Sequence, residues 1–185
     1  SRKRELLARA GWPSLTAVAT GLVIILAVRD RALRIQYRDV LERATRPHAG
    51  MVVPTFRAPT LGGDSVTIGA TPGRRQVLLF FTTTCPYCLA SLPAWRRIAA
   101  ADSAEPTRFD VIGVSLDSGT ATSRYAQVHA LGYQVILLPE RKLSRLYRAS
   151  SVPVTMVLDS AGRVVYARLG QLPLQAADSV ISAAL

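Results

Sequence analysis

The chain has 185 residues, enough for one domain with a core of its own plus an appendage. It carries 23 Lys and Arg against 12 Asp and Glu, a formal charge of +11, with 49% hydrophobic residues and a mean hydropathy of +0.22. Residues 1–50 hold ten basic and four acidic groups, a net of +6; the +5 left over is scattered along residues 51–185 without the interleaved aromatics of a base-stacking platform, so a solvated basic surface is expected and no nucleic acid.

The hydrophobic excess lies near the N-terminus. Trp12 to Val28, WPSLTAVATGLVIILAV, contains no charge, and Gly11 extends the run. As a helix, 18 residues reach about 27 Å, the thickness of a bilayer core. A buried core helix would carry a polar face, and here only Ser14, Thr16 and Thr20 are polar. A cleaved leader needs a small-x-small exit, yet Ala17-Val18-Ala19 lies mid-run. Residues 1–28 therefore read as a basic flank and membrane anchor. Basic residues stand on both sides, Arg2, Lys3, Arg4 and Arg9 before it and Arg29, Arg31, Arg34, Arg38, Arg43 and Arg46 after it, so charge alone does not orient it. Residues 29–50 continue as a juxtamembrane helix and linker. Leu33, Tyr37, Val40, Leu41 and Ala44 keep helical spacing, and Pro47 ends the helix.

Residues 51–185 alternate strand and helix. Residues 54–68 read as two extended segments around a Gly62-Gly63-Asp64 turn. Gln76–Thr82 is an apolar run suited to a buried strand. A helix of about sixteen residues follows, with Leu89, Leu92, Trp95, Ile98 and Ala99 expected inward and Pro93 inside it. Strands are expected at Phe109–Ser115 and Gln134–Leu137, and helices at Thr122–Ala130 and Leu143–Arg148. Val154–Leu158 and Val164–Leu169 flank the turn Asp159-Ser160-Ala161-Gly162 as an antiparallel hairpin, and Leu174–Ala184 closes the chain as a helix. The pattern gives an α/β domain, a mixed sheet with helices on both faces.

The two cysteines lie at the junction of the first core strand and its helix, FFTTTCPYCLASLPAW. Cys85 at a helix start would have its thiolate favoured by unpaired N–H groups and the helix dipole. Pro86 fits the first helical position, where no hydrogen bond is lost. Cys88, one turn on, is placed to attack a mixed disulfide on Cys85. The competing readings are a zinc site, for which His48 and His129 are the other soft donors and lie far off, and a stabilising disulfide, whose short loop would remove little unfolded-state entropy. The redox dithiol is favoured.

Downstream, Ser151-Val152-Pro153-Val154-Thr155 introduces a strand at a proline. Taken in order, the segment PTFRAPTLGG, the apolar strand, C-P-Y-C, Pro93 and VPVTMVLDSAGRVV resemble the membrane-anchored thiol–disulfide oxidoreductases of the TlpA/ResA type, over about Met51 to Leu185. The anchor-plus-linker layout is similar also to the MauD-type accessory proteins of methylamine utilisation. The resemblance implies a thioredoxin-like domain over residues 51–185 behind an N-terminal transmembrane helix, with Cys85 and Cys88 catalytic. Pro86, Tyr87, Val152 and Pro153 would support them, Pro153 as a cis-proline against the cysteines and Val152 through backbone pairing with an extended partner peptide. It also implies no cofactor beyond the redox-active disulfide, no metal, protein dithiol or disulfide clients with a redox partner protein, and a single-pass membrane location facing the periplasm. Some positions depart from the pattern: Leu79 stands where thioredoxin keeps a buried carboxylate, Ser91 where some members carry Glu, and Thr84 where a tryptophan is usual. Two other readings accompany this one. A peroxiredoxin-like peroxidase finds its hydroxyl in Thr82 but meets Leu78 where it needs proline, and a redox-responsive assembly subunit would use the cysteines without turnover.

Overall fold

Residues read as anchor and juxtamembrane segment form one helix, α1 (Arg2–Thr45), in the computed structural model, which describes residues 2–104, 108–138 and 140–185, and side chains from residue 16 onward except 39 and 41–43. The chain divides into two units, Ser1–Ala44 and Thr45–Leu185. In the first, Val18, the run from Leu22 to Leu26, Val28, Leu33, Tyr37 and Val40 are all exposed. An ion pair one turn apart, Arg34–Asp30 at 2.8 Å, lies on the surface. Among the described residues no helix is long and apolar enough to cross a membrane. The physical reason is the length of the uncharged stretch: counted over described side chains it runs from Thr16 to Val28, and Arg29, Asp30 and Arg31 follow. Residues 12–15, which completed the expected span, have side chains outside the described residues.

In the second unit the expected hairpin forms β1 (Phe56–Pro59) and β2 (Ser65–Ile68), an antiparallel sheet of its own. The central sheet has five strands: β3 (Arg75–Phe81), β4 (Phe109–Ser115), β5 (Gln134–Leu137), β6 (Val154–Leu158) and β7 (Val164–Leu169), in the order β5-β4-β3-β6-β7. β3, β4 and β5 are parallel, and β6 and β7 are antiparallel to their neighbours. β3 is buried on both faces, as its unbroken apolar sequence requires. Its side chains alternate between two cores. Val77, Leu79 and Phe81 pack with Leu92, Trp95 and Ile98 on one face, and Leu78 and Phe80 with Ile68, Ile136, Tyr147 and Met156 on the other.

Helix α2 (Pro86–Ala104) buries Cys88, Ser91, Leu92, Trp95, Ile98 and Ala99. Leu89, expected inward, is 48% exposed. The buried stripe starts from Cys88, and the next residue is rotated about 100° away from it. Pro93 lies within α2 on its exposed side. Helix α3 (Gly119–Val128) begins three residues before its expected start. Helix α4 (Arg141–Leu146) likewise begins early and ends early, because Tyr147 turns into the core. The Tyr147 hydroxyl donates to the Pro54 carbonyl at 2.6 Å and its ring stands edge-on to Phe56. Arg148 then takes a left-handed conformation, φ +52°, and the Ala149 N–H returns to the Ser144 carbonyl at 2.7 Å. The Arg148 guanidinium also reaches His48 Nδ1 at 2.9 Å, so this half-buried histidine is tied to the domain. At the β6–β7 turn, Asp159 Oδ1 accepts the N–H groups of Ala161 and Arg163, and Gly162 supplies φ +76° where a Cβ would lie 2.9 Å from the Ala70 nitrogen. The closing helix is split into a 3₁₀ turn (Leu174–Ala176) and α5 (Ala177–Ala184).

One buried polar pair links α2 to β6: Trp95 Nε1 donates to Thr155 Oγ1 at 3.1 Å, both residues being almost wholly inaccessible. Thr155→Val keeps the shape and strands the indole N–H. A loss of about 1–3 kcal/mol in urea unfolding is expected, while an unchanged midpoint would show that the pair contributes nothing net.

Candidate active site

Cys85 occupies the N-cap of α2. Its carbonyl accepts the first helical hydrogen bond, from Leu89 N–H at 3.2 Å, and Pro86 takes the first helical position, where the missing N–H costs nothing. The Cys85 sulfur does what an N-cap side chain does, accepting the Cys88 N–H at 3.4 Å. Half-buried, it also lies 3.8 Å from the Val152 carbonyl oxygen, to which its thiol donates. The Val152–Pro153 peptide bond is cis. The structure thus brings together Cys85, Cys88, Pro86 and Val152, with Pro153 buried at the head of β6 and Tyr87 standing 62% exposed beside the motif.

The two sulfurs, both free thiols, differ in surroundings. Cys88 is wholly buried among Leu79, Phe81 and Leu92. Burial pushes its thiol up to about 12; a hydrogen bond to the Thr82 backbone opposes this, and the hydrogen bond to Cys85 and the charges of Cys85 and Asp117 add to it. Leu79 and Ser91 hold the two positions where the resemblance led to the expectation of carboxylates. Leu79 is core packing, and Ser91 is a tie: its hydroxyl donates to the Tyr87 carbonyl at 2.8 Å and accepts the Leu172 N–H at 3.0 Å.

Asp117 is the charged neighbour that the sequence reading missed. It follows the end of β4, and its Oδ2 accepts both the N–H and the hydroxyl of Thr83, at 2.6 and 2.7 Å. Its own N–H rests on Ser115 Oγ, which pairs with Thr122 Oγ1 at 2.7 Å in the interior. The carboxylate therefore pins the loop that delivers Cys85. A signal existed: in a parallel sheet, chemistry collects at the carboxyl ends of strands, and Asp117 stands just beyond one. Tyr125, stacked on Phe81, and Tyr133 both carry buried hydroxyls without a partner among the described residues. The Tyr125 phenol is raised to about 12 by burial first and by the two cysteines next, which puts it within electrostatic reach of the dithiol. No three or more His, Cys, Asp or Glu cluster as metal ligands among the described residues. Chemically the site offers an accessible sulfur backed, one turn on, by a protonated one.

The model of the AhpC/TSA family matches residues 49–167. Over 121 residues the chain is 29% identical to the methylamine utilization protein MauD of Methylophilus methylotrophus, a match covering 64% of this chain and 54% of that one, so the chain spans about half the length of this relative. It is 20% identical over 123 residues to the sporulation thiol-disulfide oxidoreductase A of Bacillus subtilis, covering 65% of this chain and 74% of the other. Among solved structures, the thioredoxin domain of a thiol-disulfide oxidoreductase from Bacteroides vulgatus superposes with a TM-score of 0.59 at 18% identity, covering 73% and 94% of the two chains.

The raised Cys88 value gives the reduced protein a defined pH dependence. An unfolded thiol ionises near 9.0, whereas the folded one holds its proton to about 12. The stability this contributes is complete below pH 9 and is lost as pH rises from 9 towards 12. Urea midpoints of the reduced protein should fall more steeply above pH 9 than those of Cys88→Ala. Parallel curves would contradict the burial effect.

Proposed function

The chain belongs to the AhpC/TSA family and has a thioredoxin-like fold, and we propose that it is an oxidoreductase that exchanges disulfides with extracytoplasmic protein clients through Cys85 and Cys88. The observation that carries this is the unequal placement of the two sulfurs, one at the lip of the domain on a helix N-cap and one buried behind it. In the reducing direction the Cys85 thiolate attacks one sulfur of a client disulfide. That S–S bond breaks, a Cys85–client disulfide forms, and the client's other sulfur leaves as a thiolate. Cys88 then gives up its proton and attacks Cys85 Sγ. The client's second thiolate departs, leaving a Cys85–Cys88 disulfide and a client reduced by two electrons. A redox partner protein regenerates the dithiol, and the same steps reversed oxidise a client dithiol. No cofactor enters beyond the cysteine pair.

The buried Cys88 proton must leave for the second step. Asp117 raises the cost of the thiolate, while its pin on Thr83 holds Cys85 near Cys88. Val152 turns its carbonyl to Cys85, which supports this backbone as the partner for an extended client segment.

The proposal includes a membrane anchor at residues 12–28 with the second unit on the periplasmic side. Its support is the uncharged run in the sequence and the exposed apolar side chains from Val18 to Val28, which suit an apolar surrounding. An alkaline phosphatase fusion after Leu185 should be active in a bacterial host; an inactive fusion together with an active cytoplasmic reporter at the same site would overturn this placement.

For the chemistry, Cys85→Ser should abolish insulin reduction, and Cys88→Ser should accumulate mixed disulfides with clients. Faster alkylation of Cys88 than of Cys85 near neutral pH would reverse the assignment. Peroxide consumption without disulfide exchange would replace it with the peroxidase reading, for which Thr82 supplies a hydroxyl three residues before Cys85. Neither turnover would leave the accessory-subunit reading.

A further inference from the structure

The edge of the sheet that carries the dithiol also carries a second feature with no assigned task. β4 and β5 run parallel to β3, so the segments leaving all three strands emerge on the Cys85 side, and the segment entering antiparallel β6 arrives there as well. Among these segments lies a cleft of about 340 Å³ lined by Leu116, Leu138, Arg141, Ser144, Arg145 and Ser150. Its floor is firmly built: the Leu116 N–H donates to the Phe81 carbonyl at 3.0 Å and the Leu138 N–H to the Ser115 carbonyl at 2.9 Å. Ser150 stands two residues before Val152, whose carbonyl touches Cys85. Two residues span at most about 7 Å, which puts the near wall of the cleft within about 11 Å of the reactive sulfur.

Arg141 and Arg145, one turn apart on α4, are exposed, and among the described residues no carboxylate pairs with either guanidinium. The Ser144 hydroxyl is already engaged with the Arg141 carbonyl at 2.7 Å. With Lys142, this segment carries three cations against the single carboxylate of Glu140. A guanidinium offers a planar fork of donors matched to a carboxylate, and the two leucines below would receive the methylene stem of an acidic side chain.

We propose that this cleft is a client-selecting subsite, docking an Asp or Glu side chain that lies about three residues from the client cysteine engaged by Cys85. The inference rests on the disulfide-exchange reading above. The spacing is the one the geometry allows at full reach: an extended peptide advances about 3.3 Å per residue, so three residues cover about 10 Å, close to the outer limit of the separation between sulfur and cleft wall. Long-range charge steering acts in the same sense, because attraction between a cationic cleft and an acidic segment raises the rate of productive encounter.

The test uses the full chain in detergent, as Cys88→Ser, with synthetic peptides whose single cysteine is a mixed disulfide with 2-thiopyridine. Cys85 attacks the peptide sulfur, the S–S bond breaks, and pyridine-2-thione leaves and is read by absorbance. Peptide pairs differ only in Glu or Lys three residues before or after the cysteine. In one of the two positions the Glu peptide should react about tenfold faster than its Lys partner at low ionic strength, and the gap should narrow at high salt. Adding Arg141→Glu and Arg145→Glu should invert the preference, an outcome that also requires a folded protein. Equal rates for Glu and Lys peptides at both positions, or a Glu preference that survives the double charge reversal, would overturn the subsite and leave the exchange reading standing. No thione release from any peptide would overturn the exchange reading and the subsite together.

Discussion

The antiparallel pairing of β6 with β3 is the constraint from which the site follows. Phe80, near the end of β3, lies opposite Val154, the first residue of β6. The loop leaving β3 and the loop entering β6 therefore meet at one edge, and Cys85 comes to rest against the Val152 carbonyl. Were β6 parallel to β3, its entry would lie at the far end of the sheet, about five residues of strand or roughly 17 Å away. The pairing is enforced by burial. All five residues of β6 and six of the seven in β3 are buried, so neither strand has a place outside the middle of the sheet.

Burial of β3 on both faces also demands a helix over each face, and α2 meets that demand on the side of Val77, Leu79 and Phe81. Because α2 begins directly after the strand, its first turn rises at the sheet edge with Cys85 on the cap, and its second buried position is filled by the core. Trp95, bonded to Thr155 of β6, and Ser91, bonded to the segment after β7, fix the rotation of α2 about its own axis. That rotation turns Cys88 inward and Leu89 outward. The chemical difference between two identical side chains three residues apart thus arises from packing: desolvation raises one thiol, while the other stays at the surface with a backbone N–H on its sulfur.

The polar groups around the dithiol show a second division of labour. Positions where a carboxylate would exchange protons with Cys88 are occupied by an apolar side chain and a structural hydroxyl. The nearby carboxylate, Asp117, is instead committed to two short hydrogen bonds with Thr83, so it shapes the loop as much as the electrostatics. The hydroxyls of Tyr125 and Tyr133, unpartnered among the described residues, add buried polarity in the same core as Cys88. The setting therefore strongly favours the neutral Cys88 thiol.

What could be read without coordinates was what neighbouring residues decide among themselves. The boundaries of β4, β5, β6 and β7 follow from apolar runs and turn residues, and the Asp159–Gly162 turn from an Asp that bonds its own backbone and a Gly that tolerates positive φ. The placement of Cys85 at a strand–helix junction follows from the proline after it. These are interactions over one to four residues, and local sequence specifies them. The ends of α3 and α4, the outward turn of Leu89, the tie of His48 to Arg148, the Asp117–Thr83 pin and the arginine cleft beside Ser150 were not legible, since each depends on groups distant in the chain and brought together by strand pairing. Sequence by itself determined the elements, the dithiol and the order in which they occur. Which sulfur is buried, which carboxylate faces it and which cations share its edge were decided only by tertiary structure, because desolvation and charge proximity depend on spatial neighbours that no local pattern encodes.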